Sequence, residues 1–392
     1  MHAFTSITSN YLPKARVLAS TLKKHNPDFK FHLLLSDKPP PDFNIEAEPF
    51  DTVINVSELS IPGMDAWIFK HRIVEMCTAV KGYGFLEIIK RYSAEKVFYF
   101  DPDMAVFKSL EHLLSALDTN SVILTPHQTI PEESYEAIID NEICSLKHGI
   151  YNLGFLGVRS SEQGMAFVKW WASRLHDFCY DDISRGLFTD QRWVDLAPAF
   201  FPDIGILREP VYNVATWNLT HRTATGTLDG GIKINGQPLC FYHFSGFDSG
   251  DQEVMLNKYI GDSHVLRDLR NWYISECEEM GQNELAKYPC IYNSYDNEEQ
   301  ISDHERILYR SRVDLHHAFP NPFATADVDK SYYHWYQANV LPNADNGTSK
   351  EETVESLRIQ LTSLMDELQS IKQSRSWLLF RKITRIFRKQ SA

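Results

Sequence analysis

The chain has 392 residues, of which 43% are hydrophobic and 12% aromatic, which predicts a globular fold with two domains or one large domain with appendages. The formal net charge of −13 argues against a general nucleic-acid-binding protein. The six cysteines are scattered without a Cys-x-x-Cys pair, which argues against a zinc cluster or a dense disulfide framework.

The amino terminus shows no basic stretch followed by an apolar core, and no apolar segment of about 18 residues occurs. The sequence therefore predicts neither secretion by the general route nor a membrane-spanning helix. Together with the cysteine pattern, this favours a cytoplasmic location.

The first elements along the chain form a βαβ pattern. Residues 3–8 and 31–35 are predicted strands, and residues 11–25 have apolar side chains at helical spacing. Neither G-x-G-x-x-G nor G-x-x-x-x-G-K occurs in this unit. A dinucleotide-dependent oxidoreductase or a P-loop NTPase is therefore not expected.

A third strand is predicted at residues 52–56, after a proline-rich loop. Residues 69–90 follow with helical spacing, which we expect to be interrupted near Gly82 and Gly84. This helical stretch leads into an aromatic and β-branched run at residues 97–100, a predicted buried strand.

Two acids follow that strand in the order Asp101, Pro102, Asp103. Pro102 ends the strand, and the two side chains lie on the same side of an extended chain. Two like charges at the carboxyl end of a parallel strand repel each other unless a cation lies between them. Mg²⁺ or Mn²⁺ fits oxygen ligands and leaves positions for a phosphate. The alternative is a solvated Asp-Pro-Asp turn.

Further elements are predicted as a helix at 110–117, strands at 121–125 and 151–158, and a helix at 162–178. Asp190 and Gln191 open the next helical stretch, where an acid is ordinarily only a cap. The strand at residues 239–246 contains His243 near its end. A single histidine is usually a core or loop residue, although its position after a strand matches that of Asp103.

The pattern changes to helical from about residue 261, and an a/d heptad seam runs from 354 to 371. Residues 377–389 interleave apolar and basic side chains, and residues 369–392 hold seven basic and no acidic residues. An amphipathic helix of this kind fits an anionic membrane surface. A solvated basic helix and an RNA-contacting tail are the alternatives.

Together these motifs resemble the GT-A glycosyltransferases, and are most similar to retaining glycosyltransferase family 8 and its bacterial surface-polysaccharide relatives, over residues 3–250. The resemblance implies a metal bound by the D-x-D acids Asp101 and Asp103 and by the histidine of an H-F-x-G segment, His243. It places Asn152 and Gly154 of an N-x-G segment near the donor sugar and the D-Q pair, Asp190 and Gln191, near the anomeric carbon. The remaining implied donor contacts are the basic residue Lys81 and, on the first strand, Thr5 and Ser6.

The family often has a lysine shortly after H-F-x-G that binds the diphosphate, whereas this chain has Phe247, Asp248 and Ser249 there. The resemblance implies a metal-dependent hexosyltransferase that uses Mn²⁺ or Mg²⁺. Its expected substrates are a nucleotide-sugar donor, with UDP as the expected nucleotide, and a saccharide or lipid-linked glycan acceptor. The site is expected on the cytoplasmic side of the membrane, in bacterial surface polysaccharide assembly.

The implied fold is α/β: a Rossmann-like, mostly parallel sheet flanked by helices, with a helical extension and a C-terminal coiled-coil and amphipathic helix. The expected division is a catalytic domain at 1–260, a helical extension on the acceptor side at 261–342, and an assembly or membrane segment at 343–392. The heptad seam would support a homo-oligomer or a partner protein.

Two rival functions remain open on the residues alone. The run from Phe100 to Val106 also has the form of the haloacid-dehalogenase phosphatase motif, in which Asp101 would be the nucleophile and Asp103 the general acid, with Asp262 as a later acidic residue. A non-catalytic sugar-binding or partner-binding protein of the same fold is the other alternative.

Overall fold

The computed structural model describes residues 1–260 and 263–341. The chain forms two compact units, Met1–Ala324 and Thr325–Ala392. Asp262, the heptad seam and the basic amphipathic segment lie outside the described residues. The division into functional segments at residues 260 and 342 stays a prediction.

The secondary structure of the first unit alternates strands and helices. The strands are β1 His2–Ile7, β2 Lys30–Leu35, β3 Thr52–Asn55, β4 Lys96–Phe100, β5 Met104–Val106, β6 Val122–Pro126, β7 Tyr151–Arg159, β8 Asp181–Asp182, β9 Leu187–Phe188, β10 Ile204–Ile206, β11 Ala224–Thr227, β12 Gly231–Ile234, β13 Gln237–Pro238 and β14 Phe241–His243. The helices are α1 Leu12–His25, α2 Met64–Phe69, α3 Ile73–Ala79, α4 Lys81–Tyr92, α5 Glu111–Thr119, α6 Tyr135–Ala137, α7 Cys144–His148, α8 Glu162–Phe178, α9 Gln191–Val194, α10 Ala197–Phe200, α11 Asp251–Tyr259, α12 Val265–Glu279, α13 Gln282–Leu285, α14 Asp303–Ser311 and α15 Val313–Ala318. In the second unit, the described helix is α16 Tyr332–Asn339.

The central sheet has seven strands in the order β10, β6, β7, β4, β1, β2, β3. β1 pairs in parallel with both β2 and β4, β2 with β3, and β6 with β10. Only β7 runs antiparallel to its neighbours β4 and β6. The predicted mixed, mostly parallel α/β sheet is therefore confirmed.

Both faces of the sheet are covered by hydrophobic side chains. Neighbouring residues in a strand point to opposite faces, so Ala3 belongs to one apolar cluster and Phe4 to the other. Phe98 and Tyr99 of β4 divide in the same way. This two-sided burial explains why the strands read as continuous hydrophobic runs in the sequence.

The predicted interruption near Gly82 and Gly84 is wrong in its position. The helical stretch breaks between α3 and α4, and both glycines lie inside α4. A Cβ at Gly82 would lie 2.7 Å from the Cα of Ala172 on α8, and one at Gly84 would lie 2.7 Å from the ring of Phe4. These glycines permit close packing of a helix instead of ending it.

A second, two-stranded sheet places the functional residues. After β4 the chain turns at Pro102 and leaves the central sheet as β5, which pairs antiparallel with β14. This pairing brings His243 opposite Met104, although the two residues are far apart in the sequence. No helix among the described residues is both long and apolar enough to cross a membrane.

Candidate metal and donor site

Asp101 and Asp103 lie at the corner between β4 and β5. The backbone N–H of Asp101 donates to the carbonyl of Gly154 at 2.7 Å, which ties the corner to β7. The carbonyl of Asp103 accepts from the N–H of Phe244 at 2.8 Å, which ties it to the segment after β14. Both carboxylates are therefore held at the carboxyl edge of the sheet by neighbouring strands.

His243 completes a three-residue cluster. Its Nε2 lies 3.1 Å from Oδ1 of Asp103 and 4.0 Å from Oδ2 of Asp101. The ligand atoms of the three residues all lie within 4.8 Å of one another. Two carboxylate oxygens and one imidazole nitrogen at this spacing can bind a single divalent cation.

Asn213 determines how His243 faces this cluster. The amide nitrogen of Asn213 lies 2.9 Å from Oγ1 of Thr125 and 2.9 Å from Oδ1 of Asn152, to which it donates. Its oxygen is therefore left to accept from Nδ1 of His243, at 3.3 Å. The imidazole then carries its proton on Nδ1 and directs the Nε2 lone pair at the carboxylates, which is the arrangement a metal ligand needs.

Two carboxylates determine the charge that His243 favours. Burial alone would lower its pKa, but the carboxylates of Asp103 and Asp101 outweigh burial and raise it. They therefore stabilise positive charge beside Nε2, which lies 3.1 Å from Oδ1 of Asp103. A divalent cation would supply that positive charge, so the residues present fit Mn²⁺ or Mg²⁺.

Lys81, at the start of α4, joins the cluster to Asp190. Its ammonium nitrogen lies 2.8 Å from Oδ2 of Asp190, 3.2 Å from Oδ1 of Asp101 and 3.1 Å from the carbonyl of Leu153. Burial lowers the pKa of Lys81, but the two carboxylates outweigh burial and raise it. Lys81 is therefore a permanent cation that fixes the spacing between two acids.

Asp190 is buried directly before α9. Burial raises its pKa, and the neighbouring charge of Lys81 opposes that rise. Its Oδ1 accepts from the hydroxyl of Thr189 at 3.1 Å, and its carbonyl accepts from the indole N–H of Trp171 at 3.1 Å. Thr189 has a φ of 43°, in the left-handed region, so the chain is bent sharply where it presents this carboxylate.

Gln191 uses its amide on the backbone. Its oxygen accepts from the N–H of Leu153 at 3.3 Å, and its nitrogen donates to the carbonyl of His148 at 3.0 Å. It thereby links α7, β7 and α9.

Asn152 and Gly154 support the histidine. Oδ1 of Asn152 accepts from the N–H of Gly154 at 3.1 Å as well as from Asn213. A Cβ at Gly154 would lie 2.6 Å from Cε1 of His243 and 2.7 Å from Cε of Met104. Gly154 is therefore required for the close approach of the imidazole to β7.

The predicted residues converge on one cavity of about 890 Å³. Eight of them line it: Lys81, Asp101, Asp103, Asn152, Gly154, Asp190, Gln191 and His243. Thr5 and Ser6 are buried on β1 and are not among its lining residues; both hydroxyls have no hydrogen-bond partner among the described residues. The individual donor-binding and catalytic roles of these ten residues stay predictions.

The sequence did not identify Asn213 or Trp217 as part of this site. Asn213 follows an apolar run and has a φ of 47°, a conformation that asparagine tolerates better than most residues. Trp217 lines the cavity, with its ring centroid 5.2 Å from that of His243. Without the fold, neither residue has a motif that distinguishes it from other loop residues.

Sequence comparison finds two similar proteins of Bacillus subtilis (strain 168). YfnD is 25% identical over 251 residues, which are 63% of this chain and 78% of YfnD. YfnF is 30% identical over 155 residues, which are 39% of this chain and half of YfnF. No protein-family model matches the chain.

The solved structures that are similar to the chain include glycosyltransferases. A complex of the galactosyltransferase LgtC with donor and acceptor sugar analogues has a TM-score of 0.39 and 14% identity, over 72% of this chain and 96% of LgtC. GlyE of Streptococcus pneumoniae TIGR4 also has a TM-score of 0.39 and 14% identity, over 75% of this chain and 66% of GlyE. At these TM-scores the functional proposal rests on the geometry of the site itself.

Proposed function

We propose that the protein is a metal-dependent glycosyltransferase that transfers a sugar from a nucleotide diphosphate sugar to an acceptor hydroxyl. The observation that carries the proposal is the cluster of Asp101, Asp103 and His243, whose ligand atoms lie within 4.8 Å of one another on the wall of a cavity of about 890 Å³. An oxygen-rich site with one imidazole suits a divalent cation that also binds phosphate oxygens.

The charges of the site support this chemistry. A divalent cation, when bound, would neutralise the charge that grows on a departing diphosphate. Lys81 pairs with Asp101 and Asp190, and His243 pairs with Asp103, so three carboxylates face two basic side chains and leave negative charge that a divalent cation would balance. Lys81 holds Asp190 in place, where its carboxylate would stabilise an oxocarbenium-like sugar.

We propose that transfer retains the anomeric configuration, with a departing phosphate oxygen taking the proton of the acceptor. The support is that the polar groups beside Asp190 are already engaged: Lys81 pairs with it, and the Gln191 amide binds the backbone. Retention predicts that NMR of the first-formed product shows the anomeric configuration of the donor; an inverted product would contradict it.

The finer assignments belong to the same proposal. We propose UDP as the nucleotide, a hexose as the transferred sugar, a saccharide or lipid-linked glycan as acceptor, and a role in bacterial surface polysaccharide assembly at the cytoplasmic face of the membrane. The support is the motif set named above and the basic, apolar composition of residues 377–389.

The test is a thermal-shift screen of nucleotide diphosphate sugars with and without Mn²⁺, followed by transfer assays with the donor that stabilises the protein most. We expect Mn²⁺-dependent stabilisation and transfer. Asp103→Asn should lower the thermal shift and reduce the transfer rate by orders of magnitude, whereas the exposed Asp229→Asn serves as a matched control. Phosphatase activity that Asp101→Asn abolishes, without any nucleotide-sugar reaction, would contradict the proposal.

A further inference from the structure

Lys14 is a buried cation on α1, the helix that packs against β5. It lies in the first turn of α1, where the side chain is only 2% exposed, and its ammonium pairs with the carboxylate of Asp248. The hydroxyl of Tyr11 donates to the same carboxylate oxygen at 2.8 Å. Two donors from the β1–α1 corner therefore converge on one acid that follows β14.

The ammonium of Lys14 is incompletely paired. It carries three N–H donors, and Asp248 is the acceptor placed against it among the described residues. Its remaining neighbours are rings: the ammonium lies 4.1 Å from the ring centroid of Tyr11 and 5.6 Å from that of Phe247. A buried cation with donors to spare favours an additional anionic ligand.

The carboxylate of Asp248, by contrast, can move away from the ammonium of Lys14. Its side chain is 48% exposed, and its segment is bounded by Gly246 and Gly250, with φ values of 74° and 81°. Water can solvate the half-exposed carboxylate of Asp248 when it leaves, whereas the buried ammonium of Lys14 needs another anion in its place. The ion pair can therefore be exchanged for a contact with a bound anion.

The pair lies within the electrostatic reach of the metal ligands. The segment that carries Asp248 is bonded to the β4–β5 corner through the N–H of Phe244 and the carbonyl of Asp103. Burial alone would raise the pKa of Asp103, but the charges of His243 and Lys14 lower it. α1 also contacts β5 directly, since Oγ1 of Thr21 accepts from the N–H of Val106 at 3.2 Å.

We propose that Lys14 and Tyr11 form a second diphosphate-binding pair beside the metal ligands, and that Asp248 is a counter-ion that the diphosphate displaces. The inference rests on the proposed function, because it assumes that the metal site receives a diphosphate. In the ligand-free protein Asp248 neutralises Lys14; in the complex a more highly charged phosphate oxygen takes its place, and Asp248 turns to solvent.

The test is calorimetric titration of the full chain with inorganic pyrophosphate in the presence of Mn²⁺, repeated with UDP. Lys14→Gln should weaken pyrophosphate binding by about tenfold, as expected for the loss of a charged hydrogen bond. Asp248→Asn should strengthen it severalfold because the competing acid is gone. In the Lys14→Gln background, Asp248→Asn should have a smaller effect, because Tyr11 is then the remaining donor for which Asp248 competes. Lys24→Gln, at an exposed position of α1, and Asp229→Asn are matched controls.

Equal pyrophosphate affinity of Lys14→Gln and the parent chain would overturn the inference, as would an Asp248→Asn effect that is undiminished without Lys14. If Lys14→Gln does not fold, two other variants test the inference. Asp248→Asn should bind pyrophosphate more tightly than the parent chain, and Tyr11→Phe should bind it more weakly. If pyrophosphate binding depends on Lys14 but UDP binds no better than pyrophosphate, the inference holds and the nucleotide part of the proposed function fails.

Discussion

Asn213 determines which ring nitrogen of His243 carries the proton and which faces the two acids. The side-chain oxygen of Asn213 accepts from Nδ1 of the imidazole at 3.3 Å, which leaves the Nε2 lone pair for a cation. Lys81 acts similarly on Asp190 and Asp101, whose spacing it fixes from a buried position. Asn213 thus fixes the tautomer of a predicted metal ligand, and Lys81 fixes the positions of two acids that we expect to contact metal or substrate.

Asn213→Gly tests this control without straining the backbone, since glycine accepts a φ of 47°. We expect Mn²⁺ affinity to fall about 10- to 100-fold, because the imidazole loses the acceptor that orients it. Calorimetry with Mn²⁺ measures the change. Asn235→Gly, at a φ of 50° in the exposed turn after β12, is the control and should bind Mn²⁺ like the parent chain.

Mn²⁺ binding should also depend on pH through His243. Its pKa is raised above 6.5, so below this raised value Nε2 carries a proton that repels the cation. Affinity should therefore rise with pH through a midpoint above 6.5 and then level off. Mn²⁺ titrations between about pH 5.5 and 8.5 measure the midpoint, and His243→Gln should remove this transition. A midpoint at or below 6.5 would show that the two acids do not act on the histidine.

At the scale of elements, two strand pairings build the site. The central sheet brings β4 beside β7, and with them Asp101 beside Gly154. The small sheet brings β14 beside β5, and with them His243 beside Asp103. The α4 helix then supplies Lys81. The position of α4 depends on its close packing against α8 at Gly82.

Gly82→Ala should disturb that packing. The new methyl group would lie 2.7 Å from the Cα of Ala172, so α4 must shift, at a cost of about 1–3 kcal/mol. The better helix propensity of alanine offsets at most about 1 kcal/mol of this. We expect Tm to fall by a few degrees in calorimetric scans. Ala172→Gly removes only the Cβ at 2.8 Å and leaves the backbone Cα at 2.7 Å, so most of the cost of Gly82→Ala should persist in that background. An unchanged Tm of Gly82→Ala itself would show that α4 and α8 can separate without cost.

At the scale of the whole molecule, the charge is unevenly distributed along the sequence. The formal net charge is −13, yet residues 369–392 carry seven basic and no acidic residues. The described part of the chain contains no helix suited to crossing a membrane. We predict that the basic segment attaches the chain to an anionic membrane surface.

Deleting residues 374–392 tests the membrane prediction. We expect the shortened chain to lose flotation with anionic liposomes, because most of the basic and apolar side chains of the segment are removed. Transfer to a water-soluble acceptor should be unchanged, since the site lies in Met1–Ala324. Vesicles of zwitterionic lipid are the control. Flotation that survives the deletion would show that another surface binds the membrane.

The order of strands and helices could be read from the sequence because it depends on local patterns. Continuous apolar runs predicted β1, β2, β4 and β7, and helical spacing predicted α1 and α8. The strand-end acids Asp101 and Asp103 were also recognisable, because they flank Pro102 directly after a buried apolar run. The short strands β11 to β13 and the helices α6 and α7 were not predicted, since short elements lack a clear period.

The sequence by itself therefore determined the α/β class of the protein, the strand-end position of its acids and the order in which the site motifs occur. Only the tertiary structure decided that His243 meets Asp103, that Asn213 orients the histidine, that Lys81 joins Asp101 to Asp190, and that Lys14 pairs with Asp248. Each of these contacts joins residues distant in the chain. Such contacts depend on strand register and helix packing, which a local pattern does not encode.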